Sequence, residues 1–251
     1  MLTRVEGIVI RATDYGEGNR ILNVLTKQSG KLSMMARGAK KVKSRFSALS
    51  QLFTHAEFII FRSSSQAMGT LNSGELIDSH HKLREDLVLT AYAAYMTEMV
   101  NRLIDDGDVV PGLFDQLLAA FQAMVEGKDA AIITHVIEMN MLTVAGFMPE
   151  LHACVRCGSE ANELISLSAE HGGTVCRLCA VKDMQAMDAS PAVLKLLRAF
   201  QHIDLRRLGH VQVSEANQDS LRRFIRAYMD AHLHVRWKSR DFLDQLSKYD
   251  F

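Results

Sequence analysis

VEGIVIRATDYGEGNRILNVLT, residues 5–26, decides how the chain begins. Two runs rich in branched aliphatic residues, 5–11 and 20–26, flank a glycine and polar cluster at 15–19. That pattern reads as two strands joined by a turn. Gly16-x-Gly18 lacks the third glycine and the following helix of a dinucleotide fingerprint, so it is read as part of the turn. Working outward, the same texture recurs at 31–37, at 57–61 and, more weakly, at 67–77, punctuated at 29–30 and 63–66. Five short strands with no helical period predict a small barrel or sandwich.

From residue 81 the period changes. Leu83, Leu87, Ala91, Ala94, Tyr95, Met99 and Leu103 recur at helical spacing and predict one helix. A second is expected to open at Pro111, a residue suited to the first turn, and to stop near Gly127. A third carries Ile132, Ile133, Val136, Ile137, Met141 and Val144 and ends at Gly146. After residue 181 helices resume. Ser190-Pro191 is a cap and first-turn pair, and Ser214 begins a helix that carries Leu221, Phe224, Ile225, Tyr228 and Val235. The predicted class is therefore β followed by α, with a β domain at 1–80 and a helical domain at 81–251 interrupted at 152–181.

The chain has 251 residues, of which 48% are hydrophobic and 23% charged, enough apolar material for a core. No apolar run approaches the 18 or so residues of a membrane span. Arg4 and Glu6 fall where a signal peptide would be apolar, so a cytoplasmic protein is expected. Lys plus Arg equals Asp plus Glu at 29 each, yet the charge is segregated. Residues 1–80 hold 11 basic and 6 acidic side chains, a net of +5, whereas 81–150 hold 4 and 11, a net of −7. The remaining 151–251 have a net of +2. Segregation of this kind predicts separate surfaces with separate roles.

Residues 152–181 contain every cysteine. Cys154-x-x-Cys157 and Cys176-x-x-Cys179 are separated by 18 residues, the spacing of a four-thiolate zinc site. Gly158 and Gly172-Gly173 let the backbone turn, and residues 164–167 suit a β-ribbon arm between the knuckles. Free thiols, a disulfide or an iron–sulfur cluster are the other uses of such a set; a cytosolic setting argues against stable disulfides. A closed four-cysteine site leaves no open coordination position, so Zn²⁺ there would be structural.

Lys31, Arg37, Lys40, Lys41, Lys43 and Arg45 lie within 15 residues that contain no acid. A flexible basic loop leaving the third strand of a small barrel suits contact with a phosphate backbone, with Phe46, Phe53 and Tyr15 as candidate stacking platforms. Its competing reading is a solvated charged loop that protects a sheet edge. A second basic set comprises Arg206, Arg207, Arg222, Arg223, Arg226, Arg236, Lys238 and Arg240. Arg222, Arg226 and, further on, Arg236 are read as sharing a helix face; the plainer alternative is the polar side of an amphipathic helix. His80-His81 and His232/His234 have no acidic or cysteine partner at ligand spacing and are read as exposed or capping.

No GxxxxGK[ST] phosphate loop, HExxH or GxSxG is present. Asp105, Asp106 and Asp108 form the one tight carboxylate cluster. A nuclease would use such a group to hold Mg²⁺, which makes a metal-dependent nucleic-acid enzyme the alternative function, but acidic residues are also common at a helix end beside a glycine such as Gly107.

The order of features resembles the bacterial RecO family of recombination mediators across essentially the whole chain. The residues that carry the resemblance are GIVIRATDYGEGNRILNVLT, then ARGAKKVKS and LSQLF, then the CxxC…GGxVCxxC insert within helices. The resemblance implies an N-terminal OB-fold, a four-cysteine zinc finger within the helical domain and a non-enzymatic role in DNA repair. It also implies binding of single- and double-stranded DNA, annealing of complementary strands, and engagement of the acidic C-terminal tail of single-strand-binding protein. RecR would be a direct partner and RecA an indirect one, in the cytoplasm at the nucleoid. The ARGAKKVKS match assigns DNA contact to Arg37, Lys40, Lys41 and Lys43, with Arg45 adjoining. Arg222, Arg223 and Arg226 are the candidate basic half of a partner site.

Overall fold

The computed structural model describes residues 1–64, 67–160 and 164–246. Two residues of the polar cluster at 63–66 therefore lie outside the described residues. The chain divides into two compact units, Met1–Glu126 with Trp237–Phe251, and Gly127–Arg236.

In the first unit, β1 (Leu2–Tyr15), β2 (Asn19–Thr26), β3 (Gly30–Ala36), β4 (His55–Phe61) and β5 (Gly69–Asp78) close a barrel in the order β1-β2-β3-β5-β4. One long strand makes closure possible. The first half of β1 pairs with β4 (Leu2↔Phe61 to Ile8↔His55) and its second half with β2, with a bulge between Val9 and Arg11. A bulge adds local twist, which turns the strand from one neighbour to the next. β3 and β5 seal the barrel through a short parallel pairing. The branched aliphatic runs read in the sequence form the wall of the barrel. Val5, Val9, Leu22, Val24, Leu32, Met34, Ala56, Phe58, Ile60 and Leu71 fill its interior. Ile8 and Ile10 are also buried, and α2 packs on β1.

α1 (His81–Glu85) and α2 (Leu87–Leu103) replace the single helix expected from residue 81. Asp86 breaks the run: its backbone is extended and its side chain accepts from the Leu89 amide at 2.9 Å. A helix cap satisfies an orphan amide that a continuous helix would not leave. α3 (Leu113–Val125) starts after Gly112, whose φ of 78° is the left-handed region, so Pro111 lies in the preceding turn and not in the first helical turn. α8 (Lys238–Leu246) belongs to this unit as well. Trp237 packs edge-on against Tyr95 at 6.3 Å, and the Glu98 carboxylate accepts from the amides of Lys238 and Ser239.

The second unit packs α4 (Ala130–Val144), α6 (Pro191–Phe200) and α7 (Glu215–Leu233) against one another, and Ile133, Val136, Ile137, Leu197, Leu221, Phe224 and Ile225 on these helices are buried. The Ser190-Pro191 start is as predicted, with Ser190 Oγ accepting from the Val193 amide. Ser214 is the cap of α7, but that helix ends at Leu233, before Val235. The expected ribbon is present as β6 (Leu164–Ser168) and β7 (Gly173–Cys176), joined by β8 (Met187–Asp188). Gly173 is required there: a Cβ would sit 2.0 Å from the Glu150 carbonyl oxygen.

Candidate nucleic-acid interface and metal centre

The basic loop is tied to the barrel. The Lys40 amide donates to the carbonyl of Gly18 in the β1–β2 turn at 3.1 Å, and the Gly38 amide to Oδ1 of Asn19, the first residue of β2, at 2.9 Å. Successive turn bonds, Lys41 to Gly38, Ser44 to Lys41 and Ser47 to Ser44, run along the loop. Its cations then separate by environment. Lys40 Nζ lies 2.9 Å from Asp14, which also takes Arg20 at 3.1 Å. The hydrogen bond from Lys40, then that from Arg20, holds the Asp14 carboxyl below the usual carboxylate range. Lys31 is buried and spent, with Nζ donating to the Asn101 carbonyl at 2.9 Å. Arg45 stacks on Phe46, its guanidinium 4.7 Å from the ring centre. Arg37, Lys41 and Lys43 are exposed and form no ion pair among the described residues. Of the aromatic candidates, Phe46 and Phe53 are core residues, while Tyr15 remains 55% exposed.

The C-terminal basic set is more dispersed than its sequence spacing suggested. Arg206 forms a forked pair with Asp204, and Arg222 pairs with Asp219 one helical turn away. Arg223 is exposed on α7 and Arg226 half-buried. Arg236 falls beyond the end of α7, so it does not share that helix face, and Arg240 is on α8 in the other unit.

The four cysteines converge. The Sγ atoms of Cys154, Cys157, Cys176 and Cys179 all lie within 4.8 Å of one another, and Cys157 and Cys176 are 3.7 Å apart. Thiolates about 2.3 Å from a tetrahedral ion are about 3.8 Å from each other, so the spacing fits a metal ion. The first knuckle is built by the Gly158 amide donating to the Cys154 carbonyl at 2.8 Å, with Gly158 at a φ of 74°. Burial raises the Cys154 thiol, but amides of Cys176, Arg156 and Cys157 outweigh it and bring the thiol down to about 6. Cys179 is pushed up to about 12 by burial and by the three neighbouring sulfurs. A set with thiolates favoured at Cys154 and Cys176 and a thiol suppressed by its neighbours at Cys179 is arranged for a cation that would relieve the suppression.

The aspartate cluster has a structural use. Asp106 accepts from Ser33 Oγ at 2.7 Å and lies 3.4 Å from Lys31 Nζ, while the Gly107 amide donates to the Lys31 carbonyl. Gly30 packs so closely here that a Cβ would meet the Asp108 carbonyl oxygen at 2.1 Å. Among the described residues Asp105, Asp106 and Asp108 do not converge as a ligand set. Of the histidines read as exposed or capping, His80 occupies the N-cap position of α1 but is buried, with Nδ1 donating to the Phe53 carbonyl at 2.9 Å, and His232 is half-buried with Nε2 on the Ala169 carbonyl at 2.8 Å. The sequence did not flag Ser168, His171 and Asp183. Ser168 Oγ at 3.0 Å and Asp183 at 3.3 Å both approach the same nitrogen, His171 Nδ1, so they brace the ribbon and do not form a relay to a nucleophile.

Residues 1–80 match the family described as Recombination protein O N terminal, and residues 84–241 that described as Recombination protein O C terminal. DNA repair protein RecO of Bacillus pumilus (strain SAFR-032) is 44% identical over 246 residues, covering 98% of this chain and 95% of that one. The protein of the same name from Bacillus subtilis (strain 168) is 42% identical over 246 residues, with the same coverage. That of Halalkalibacterium halodurans is 40% identical over 251 residues, 100% of this chain and 98% of the relative.

Proposed function

The chain belongs to the RecO family of DNA repair proteins, and from that premise we propose that it is a non-enzymatic recombination mediator that anneals complementary single strands. The observation that carries this reading is the basic loop on an OB-like barrel that presents Arg37, Lys41 and Lys43 unpaired to solvent. Those three side chains contact phosphates, Arg45 and Lys40 flank them, and Tyr15 offers a face for a base. Both single- and double-stranded DNA supply the phosphates. Annealing needs no nucleotide hydrolysis: a cationic surface screens the repulsion between two strands and raises their local concentration.

In this reading Zn²⁺ is held by Cys154, Cys157, Cys176 and Cys179. With all four positions filled by thiolate, the ion supplies cross-linking of the two knuckles and no chemistry on a substrate. The acidic tail of single-strand-binding protein docks on the helical domain, residues 81–251. Arg222, Arg223 and Arg226 supply the basic half. RecR binds directly and RecA is loaded downstream, at the nucleoid in the cytoplasm. No helix of the described residues is long and apolar enough to cross a membrane.

A fluorescence-quenching annealing assay tests the reading, with ATP and EDTA in separate arms at low and high salt. Acceleration that fades with salt and is indifferent to both additions is expected. Cleavage of either strand, or a requirement for ATP, would replace the mediator with an enzyme.

A further inference from the structure

The second knuckle carries a surface that the zinc role does not use. Leu178 is 76% exposed, Val181 83% and Met184 fully exposed. These three large apolar side chains follow one another along α5 (Arg177–Ala180) and the turn after it. The backbone beneath them is folded into successive hydrogen-bonded turns. The amides of Lys182, Asp183 and Ala186 bond back to Cys179, Ala180 and Asp183, at 3.1, 2.9 and 3.1 Å. Asp183, the one acid between residues 170 and 188, is turned inward, only 8% exposed and fixed to His171 and the Gln185 amide. Every exposed charge on this segment is therefore positive. Arg177 and Lys182 form no ion pair among the described residues, and Arg156, inside the first knuckle, is exposed and near enough to help lower the Asp183 carboxyl. Exposed apolar side chains on hydrogen-bonded turns, interleaved with cations that form no ion pair, are what a binding surface requires and what a solvated loop avoids.

We propose that this knuckle face is a second DNA-contacting surface, with Arg177 and Lys182 on phosphates and Leu178, Val181 and Met184 against base faces. The order along the chain is cation, apolar, apolar, cation, apolar, which matches a strand that presents charge on one edge and flat apolar bases on the other. Leucine and methionine serve as base wedges in architectural DNA-binding proteins. The inference deepens the DNA-binding reading and rests on it. It gives annealing a second strand-holding site besides the basic loop.

The test uses the full-length chain and a labelled oligothymidylate in anisotropy titrations over a range of salt. The double substitution Arg177→Gln/Lys182→Gln should make the log–log salt slope shallower by about 1.4, two single-strand contacts' worth. Leu178→Ser/Met184→Ser should weaken binding about three- to tenfold with the slope unchanged, because it removes apolar contact and no charge. All four positions are exposed, so thermal midpoints should match the parent. Arg37→Ala/Lys41→Ala/Lys43→Ala is the control for the loop. If the parent chain shows no salt-sensitive DNA affinity, the DNA reading itself fails. If the loop control weakens binding while both knuckle variants bind as the parent does, the inference alone fails. A lowered midpoint with unchanged DNA slope would assign the cations to balancing thiolate charge, and would also overturn it. A photo-crosslinker at position 184 should give a DNA adduct; an adduct with a second copy of the chain would make the face a protein interface instead.

Discussion

The barrel and the cysteine insert are both small β structures that present cations, and they are held together by opposite means. The barrel interior is a continuous apolar cluster of fourteen buried residues, from Val5 to Leu71. Among the described residues of 151–188, the buried apolar side chains are Leu151, Leu167 and Val175, beside two of the cysteines. At about 25 cal/mol per Å² of buried apolar surface, three such side chains do not offset the ordering entropy of the segment. The barrel is thus specified by pattern and the insert by four particular atoms. That difference dictates how each should fail.

The largest expected effect exploits it directly. Cys176→Ser, or a strong chelator, should unfold the insert and lower the thermal midpoint of the 127–236 unit by about 10 °C or more, in line with a loss of a few kcal/mol. The barrel should remain folded, as read by hydrogen exchange in β1 and β2. Phe58→Ala is the mirror experiment. Phe58 is fully buried, so its truncation should cost the first unit about 3–5 kcal/mol and leave metal content at one ion per chain. If chelation melts the barrel, or the insert survives without its fourth thiol, the contrast collapses.

Next in size is the loop. Arg37→Ala/Lys41→Ala/Lys43→Ala should weaken binding to all DNA sequences alike and remove about 2 from the magnitude of the log–log salt slope, three contacts at roughly 0.7 each. Sequence-dependent losses would show that the loop reads bases. A finer effect separates neighbours. Lys41→Ala should remove a full contact from the slope, whereas Lys40→Ala should remove much less, because its ammonium is already shared with Asp14. Anisotropy titrations across salt measure both, and equal losses would show that DNA displaces Asp14.

Much of this contrast was legible in the sequence, for physical reasons that also mark where legibility ends. Strand periodicity is local, so all five barrel strands could be located from 5–26 outward. The CxxC spacing encodes a short-range geometry, so the four sulfurs were expected together and are together. What depends on distant partners was not legible. Nothing near Lys40 reveals Asp14, 26 positions earlier, and nothing near Lys31 reveals the Asn101 carbonyl. Phe46 and Phe53 have the composition of stacking platforms but fill the core. Asp86 breaks a helix inside an apolar period because a polar position in an amphipathic pattern reads the same whether it faces solvent or caps an amide. The knuckle face was missed because exposure of Leu178, Val181 and Met184 is invisible until Cys179 fixes which side of the turn points inward.

The smallest expected effect concerns pH and again divides the two regions. His80 is buried in the first unit, held by the Phe53 carbonyl and set edge-on to Phe121 at 5.4 Å. Burial lowers its proton affinity below the usual imidazole value, and the neighbouring Asp78 only partly opposes this. In the unfolded chain His80 titrates near 6.5. Above that pH both states are neutral there and His80 contributes no pH dependence. As pH falls below it, the unfolded state takes up a proton that the folded state refuses, so stability declines until the lower folded value is reached. The first unit should therefore lose stability between pH 7 and pH 5.5 on account of His80. His80→Gln should lower stability at pH 7, because the bond to Phe53 is lost, yet flatten that decline. Denaturant melts of parent and variant at the two pH values, followed by hydrogen exchange in β1, provide the measurement. A decline of equal size in both chains would place the acid sensitivity elsewhere, and the barrel unit would then owe nothing to this imidazole's protonation.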